Sequence, residues 1–187
     1  QTVGVELNPT AAKRAREKGF EIFEEDLDRL AQYKGEGRFH AICSFQVLEH
    51  VSEPRAFLES MLCNLRLGGR LILSVPNAAV MRRIDPDRQN LLNQPPHHMS
   101  HWDADVFQAL EDYLPVKVRS VHREPLAEYH IPWIISSYLR IRFSFLGSQA
   151  MRVLFNRFSL YPIFLLVKLG LRKWIPGHTL LVVLEKV

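Results

Sequence analysis

Glutamate and histidine stand side by side at Glu49-His50, just after a short apolar run and the residues Ser44, Phe45 and Gln46. An imidazole titrates near neutral pH, so His50 is suited to take a proton from a hydroxyl group while that oxygen is being alkylated. The alternative is a histidine that only caps the turn after it. A second group, His97, His98 and His101, falls within one short stretch. Three histidines so close together could suggest a metal. No Cys or Glu accompanies them, however, and their spacing matches no common zinc pattern, so no metal is expected there. Near the start, Glu6 closes a short apolar run. An acid at the end of a strand in a nucleotide-binding sheet can accept hydrogen bonds from ribose hydroxyls. The alternative is a solvated strand-end carboxylate.

The stretch that must position the first group is 39–77. Residues 39–43 form an apolar run without strict alternation, as expected of a parallel strand covered on both faces and placing Cys43 in the interior. Ser52 can cap a helix that has Pro54 in its first turn. Leu58, Met61, Leu62 and Leu65 recur at helical spacing, and Gly68-Gly69 can end that helix through positive φ. Residues 71–75 make the next strand, stopped by Pro76. The unit is βαβ, and its crossover should be right-handed.

Three segments in register, Leu48-Glu49-His50-Val51, Arg66-Leu67-Gly68-Gly69 and Val75-Pro76-Asn77, resemble the second half of a class I S-adenosylmethionine-dependent methyltransferase. The likeness is to the subgroup with a Leu-Glu-His-Val turn after the fourth strand, which includes quinone and other small-molecule methyltransferases. It implies a Rossmann-like α/β fold with a seven-stranded sheet, whose last strand runs antiparallel between the fifth and sixth. It also implies S-adenosylmethionine as cofactor. Glu6, with Leu7 beside it, would hold the ribose, and Asp26 with Leu27 would contact the adenine. Three consecutive acids at 24–26 equally read as a solvated turn. Ser44, Phe45 and Gln46 would border the cofactor where it meets substrate. The histidine-rich loop would cover the acceptor pocket, with His98 as the preferred contact. Some quinone-type relatives carry a second acid in the Glu-His turn and hold a divalent metal. Gln46 stands in that place, and an amide oxygen is a poorer ligand for hard cations, so the expected metal set is none.

In Rossmann-type folds the ribose acid follows a glycine-rich loop by roughly 20 residues, whereas five residues precede Glu6. The first strand, that loop and its helix are therefore expected upstream of Gln1. Their absence should leave a gap in the sheet and the chain by itself inactive. Residues 77–96 read as a polar loop with Arg82, Arg83, Asp85, Asp87 and Arg88. Asp103 can cap a helix that buries Val106, Phe107 and Leu110. Residues 116–121 and 180–184 read as the last two strands.

Between those strands lies what the resemblance does not explain. Residues 131–176 are rich in Phe, Leu, Ile, Trp and Tyr and carry Arg140, Arg142, Arg152, Arg157, Lys168, Arg172 and Lys173, with no acid between Glu128 and Glu185. Such a segment suits an interfacial helix pair on an anionic membrane surface. It equally suits a helical lid with its Arg heads in water. A grip on nucleic acid is not expected, since no recognised module accompanies the basic and aromatic residues. The expected organisation is a partial methyltransferase core over 1–130, a helical insertion over 131–176 and a final core strand over 177–187.

The 187 residues, 47% hydrophobic and 24% charged with a net charge of +4, suit one globular domain and do not by themselves imply nucleic acid. No apolar run approaches the ~20 residues that span a bilayer, and no secretory signal opens the chain. Two cysteines suggest reduced thiols in a cytoplasmic setting, with membrane association left open. The expected function is methyl transfer from S-adenosylmethionine to a small-molecule or lipid-linked acceptor, at oxygen. The rival is a non-catalytic methyltransferase-like binding or membrane-adaptor module.

Overall fold

The computed structural model describes residues 2–86 and 90–187, without the side chains at positions 32–34, 92, 148 and 157. Asp87, Arg88 and the side chain of Arg157 thus lie outside the described residues. Strands β1 (Val3–Val5) and β2 (Glu21–Phe23) pair in parallel, joined by helix α1 (Pro9–Glu17). Asn8 starts α1 by accepting hydrogen bonds from the N–H groups of Thr10 and Ala11, with Pro9 in the first turn. Helix α2 (Leu27–Lys34) then leads to β3 (Phe39–Phe45).

The larger sheet has four strands in the order β3-β4-β6-β5, with β4 spanning Leu65–Pro76, β5 Val116–Pro125 and β6 Pro176–Lys186. β3 and β4 are parallel, while β6 runs antiparallel to both β4 and β5. This is the expected slot for the last strand. The described residues form six strands in two separate sheets, not a seven-stranded sheet, and β1–β2 has no ladder to β3. Among the described residues β3 pairs with β4 alone. Cys43, expected inside a covered strand, is exposed.

Helix α3 (Pro54–Asn64) buries Leu58, Met61 and Leu62 against Leu71, Leu73 and Val75 of β4 and against Leu180, Val182 and Leu184 of β6. Two local readings fail here. The residue at the N-cap is Glu53, without a side-chain cap, so Ser52 does not start the helix. Gly68 and Gly69 do not end it either. Leu65 follows the helix directly into β4, and the glycines lie where β4 bulges, with Phe39 opposite Leu65 and Ala41 opposite Arg70. Gly68 supplies φ +70 and Gly69 leaves no room for a Cβ beside Arg66 O and Leu65.

Part of the expected 77–96 loop is helical. α4 (Ala78–Ile84) is capped by Asn77, whose side chain accepts from Ala79 N, and it buries Val80, Met81 and Ile84. These pack with Leu126, with Ile131 and Ile134 of α6 (Ile131–Arg142), and with Val167 of α8 (Arg157–Leu169). The insertion is thus three helices rather than a pair, the third being α7 (Ser148–Leu154).

Asp103 does cap α5 (Ala104–Ala109), accepting from Val106 N at 3.0 Å, and its other oxygen accepts from Arg82 at 2.7 Å. Burial alone would raise the carboxyl pKa, but the Arg82 hydrogen bond and the cap outweigh it and hold the group below its ordinary 3.8. Since the folded-state value is depressed, the stabilisation is present above the unfolded pKa and is lost as pH falls through the folded one. Asp103→Ala is expected to lower stability by about 1–2 kcal/mol at neutral pH. Denaturant titrations should show that difference shrinking as the pH is taken below the ordinary carboxylate range.

Candidate functional site

The parallel strands β1, β2 and β3 deliver the first set of predicted residues at their carboxyl ends, where open α/β sheets bind ligands. Glu6 follows β1 half-buried, and one carboxylate oxygen accepts from Asn8 N at 2.8 Å. Leu7 beside it is 62% exposed, and Phe45, at the end of β3, is 57% exposed. Asp26 is exposed at the N-cap of α2 without bonding the helix through its side chain, while Leu27 packs against the main core. Ser44 is buried. Gln46 holds φ 55, uncommon for a residue with a Cβ, and is fixed there by Gln46 N donating to Ser74 O at 2.9 Å. Carboxylates, an amide and bare apolar side chains thus stand at the carboxyl ends of three strands that belong to two sheets.

The 3₁₀ turn Leu48–His50 carries the second set. His50 Nδ1 bonds the carbonyl of His97, an acceptor, so Nδ1 carries the proton and Nε2 the lone pair in the neutral ring. Nε2 lies 3.8 Å from Glu49 Oε1. Across from it, His98 Nδ1 bonds Asn93 Oδ1 at 3.1 Å, and the two imidazoles meet edge to face with centroids 5.0 Å apart. Burial, then the neighbouring His50, lowers the His98 pKa. Both histidines predicted as chemistry-bearing are therefore in one place, which the rings of His97 and His101 do not share.

Glu49 is 2% exposed, and its Oε2 has no hydrogen-bond partner among the described residues. Burial raises its pKa, against the opposing pull of its backbone hydrogen bond and of His50. Glu49, His50 and His98 each offer one ligand atom, all within 4.8 Å of one another. Two imidazoles and a carboxylate are a donor set suited to a divalent transition metal. The fold creates this grouping by bringing His98 to Glu49-His50 across about fifty residues of chain, which spacing alone does not reveal.

These residues line a cavity of about 570 Å³ together with Gln46, Pro76, Met81, Asn90 and Asn93. Its far wall was not legible in the sequence: His130, at the N-cap of α6, and His178, near the start of β6, sit with ring centroids 3.9 Å apart, beside Trp133. His130 Nδ1 is buried without a partner among the described residues. Burial lowers the pKa of both rings, and His130 adds to the effect on His178. No Lys or Arg lines this cavity among the described residues.

A family model described as a methyltransferase domain matches residues 1–157. A curated relative, the mitochondrial ubiquinone biosynthesis O-methyltransferase of Dictyostelium discoideum, is 24% identical over 88 residues, which is 46% of this chain and 27% of the relative. The chain thus spans about a quarter of that protein's length. Among solved structures, a SAM-dependent methyltransferase from Archaeoglobus fulgidus is 14% identical with a TM-score of 0.55, covering 100% of this chain and 76% of its own. The plantazolicin methyltransferase BamL, in complex with a triazolic desmethylPZN analog and SAH, is 13% identical at 0.55, covering 98% and 67%. The [4+2]-cyclase SpnF is 15% identical at 0.57, covering 100% and 66%. At such identities the structural likeness speaks for the fold.

The buried Glu49 carboxyl generates a prediction about stability. Its folded pKa is raised above the ordinary 4.5, so the charged form burdens the fold as pH rises through the unfolded value and beyond. Glu49→Gln is expected to unfold at a higher denaturant midpoint than the parent at pH 7. The two midpoints should converge near pH 4, below both pKa values, where the parent carboxyl is already largely neutral.

Proposed function

The chain belongs to the methyltransferase-domain family, and from that membership we propose that it transfers a methyl group from S-adenosylmethionine to a hydroxyl oxygen of a small-molecule or lipid-linked acceptor. The cofactor, when bound, supplies a methyl group on a positively charged sulfur. In this reading Glu6 and Leu7 hold the ribose, Asp26 and Leu27 border the adenine, and Ser44, Phe45 and Gln46 face the methyl-donating end. The acceptor occupies the cavity of about 570 Å³.

The observation that carries the proposal is the state of His50. A lone pair at Nε2, held by the Nδ1 bond to a carbonyl, opens onto a cavity that also contains His98. His50 accepts the acceptor's hydroxyl proton as the oxygen is alkylated, and Glu49 at 3.8 Å steadies the imidazolium that results. No metal is needed for that step. His98 positions the same hydroxyl, and its depressed pKa keeps it neutral at physiological pH. His130 and His178 present polar edges to the far end of the acceptor. A lining without Lys or Arg among the described residues suits an uncharged acceptor, such as a phenol or other hydroxylated ring, better than a phosphorylated one. The likeness to an O-methyltransferase of ubiquinone biosynthesis supports oxygen as the methylated atom. Two cysteines outside any disulfide, Cys43 and Cys63, support a cytoplasmic setting.

Calorimetric titration of the full-length protein with S-adenosylhomocysteine tests the cofactor. Glu6→Ala is expected to weaken binding by ~1.5–3 kcal/mol, the scale of a charge-assisted hydrogen bond. Unchanged affinity would remove Glu6 from the site, and a full-length protein that binds neither form of the cofactor would be the non-catalytic module instead. With a hydroxyl acceptor, His50→Ala is expected to slow methyl transfer about 10²–10⁴-fold while cofactor affinity stays level. Retention of the parent rate would show that the oxygen needs no base.

A further inference from the structure

The inserted helices divide into an inner and an outer part. α6 faces the domain: Ile131 and Ile134 are buried against α4, and Trp133 lines the acceptor cavity. On α8, Leu160 and Val167 are buried and Phe164 packs partly buried between them, an inward stripe at i, i+4 and i+7. The other side of α8 is apolar as well. Phe158 is 88% exposed and Leu169 75%, with Tyr161 and Leu165 exposed between them. The 3₁₀ turn Leu171–Trp174 extends this face with Leu171 and with Trp174, 87% exposed. A helix apolar on both sides belongs in a core or in lipid, and an exposed patch of this kind marks an interaction site.

Length and charge decide the occupant. α8 has 13 residues, about 20 Å at 1.5 Å per residue, against the ~30 Å of a bilayer's hydrocarbon core. No helix among the described residues is long and apolar enough to cross a membrane. The segment 131–176 carries seven basic residues and no acid. Lys168 and Arg172 reach Glu128, just outside it, at 3.4 and 3.5 Å, and the segment as a whole stays strongly cationic. Arg140 and Arg152 line a groove of about 580 Å³ whose other walls include Leu139, Met151 and Phe155. Two copies of such a face would bring like charges together, and the cores of protein interfaces are depleted in Lys. An anionic bilayer satisfies both the cations and the apolar side chains.

We propose that α8 and the turn after it dock in the plane of an anionic membrane, with Phe158, Leu165, Leu169 and Trp174 below the headgroups and the insertion's cations at phosphate level. This goes beyond methyl transfer and does not rest on it, so lipid binding is read without substrate or cofactor. The full-length protein is mixed with vesicles of phosphatidylcholine alone or with added phosphatidylglycerol, and sedimented. Binding to the anionic vesicles is expected to be at least roughly tenfold stronger and to fall as salt rises. Trp174 emission should shift to the blue on binding, and Trp174→Phe should lose that shift while the protein still sediments. Phe158→Ser with Leu169→Ser should release the protein from the vesicles without changing its circular dichroism. Equal binding to neutral vesicles, no sedimentation at low salt, or a dimer in light scattering that the same substitutions dissociate would each overturn the proposal. A blue shift that survives in Trp174→Phe would also overturn it, because the lipid-facing residue would then lie elsewhere.

Discussion

The candidate site exists because one segment, 97–102, is hydrogen-bonded across the ends of β3 and β4. Met99 N and Ser100 N both donate to Glu49 O, at 2.7 and 3.2 Å, and Ser100 Oγ reaches Leu48 O at 3.3 Å. Trp102 Nε1 donates back to that same Ser100 Oγ at 2.8 Å, while Trp102 O accepts from Ala78 N at 2.9 Å. Each bond contributes only about 1 kcal/mol net. Together they fix the segment at three points, with Trp102 buried beneath it against Phe107. His98 and the carbonyl of His97 are thereby delivered to His50. The tautomer of His50, and with it any role as a base, follows from this docking and not from the Glu-His pair itself.

Much of this was legible in the sequence, for reasons that differ by element. The βαβ unit over 39–77 could be read because helical and strand periodicities are strong there, and β6 lies between β4 and β5 as the resemblance implied. Local chemistry was read less well. Gly68-Gly69 looked like a helix stop, yet the constraint these residues meet is a bulge and a close approach to Arg66 O, which only the pairing with β3 creates. The helix at α4 was missed because it has only 7 residues, with polar Asn77 and Asp85 at its ends. Cys43 was misplaced because exposure depends on what the rest of the fold lays over the strand's face, which a periodicity cannot report.

Site residues divide along the same line. Glu49, His50 and His98 were picked out by type and motif, and their meeting is a tertiary event. His130 and His178 carried no signal at all. They are separated by the whole insertion, and each is an isolated histidine in no recognisable motif. The two ends of the inserted segment also differ: Trp133 in the first turn of α6 walls the cavity, while Phe158 and Leu169 on the outer side of α8 are exposed. A composition shared by both parts hid the division.

The split sheet has a dynamic consequence. The β1–β2 unit is tied to the larger sheet through α2 packing on α3, with Asn64 Nδ2 donating to Leu27 O at 3.1 Å and Gly37 N to Cys63 O at 2.9 Å. No backbone ladder spans the two halves among the described residues. Among the described residues, then, the β1–β2 pair and the larger sheet are joined by helix packing and these hydrogen bonds rather than by a shared ladder. Glu6 and Asp26 follow strands of the small sheet, while Ser44 and Gln46 belong to the end of β3 in the larger one. A ligand that touched both sheets would act as a clasp, and its affinity would be registered as slower amide exchange at the strand ends it bridges.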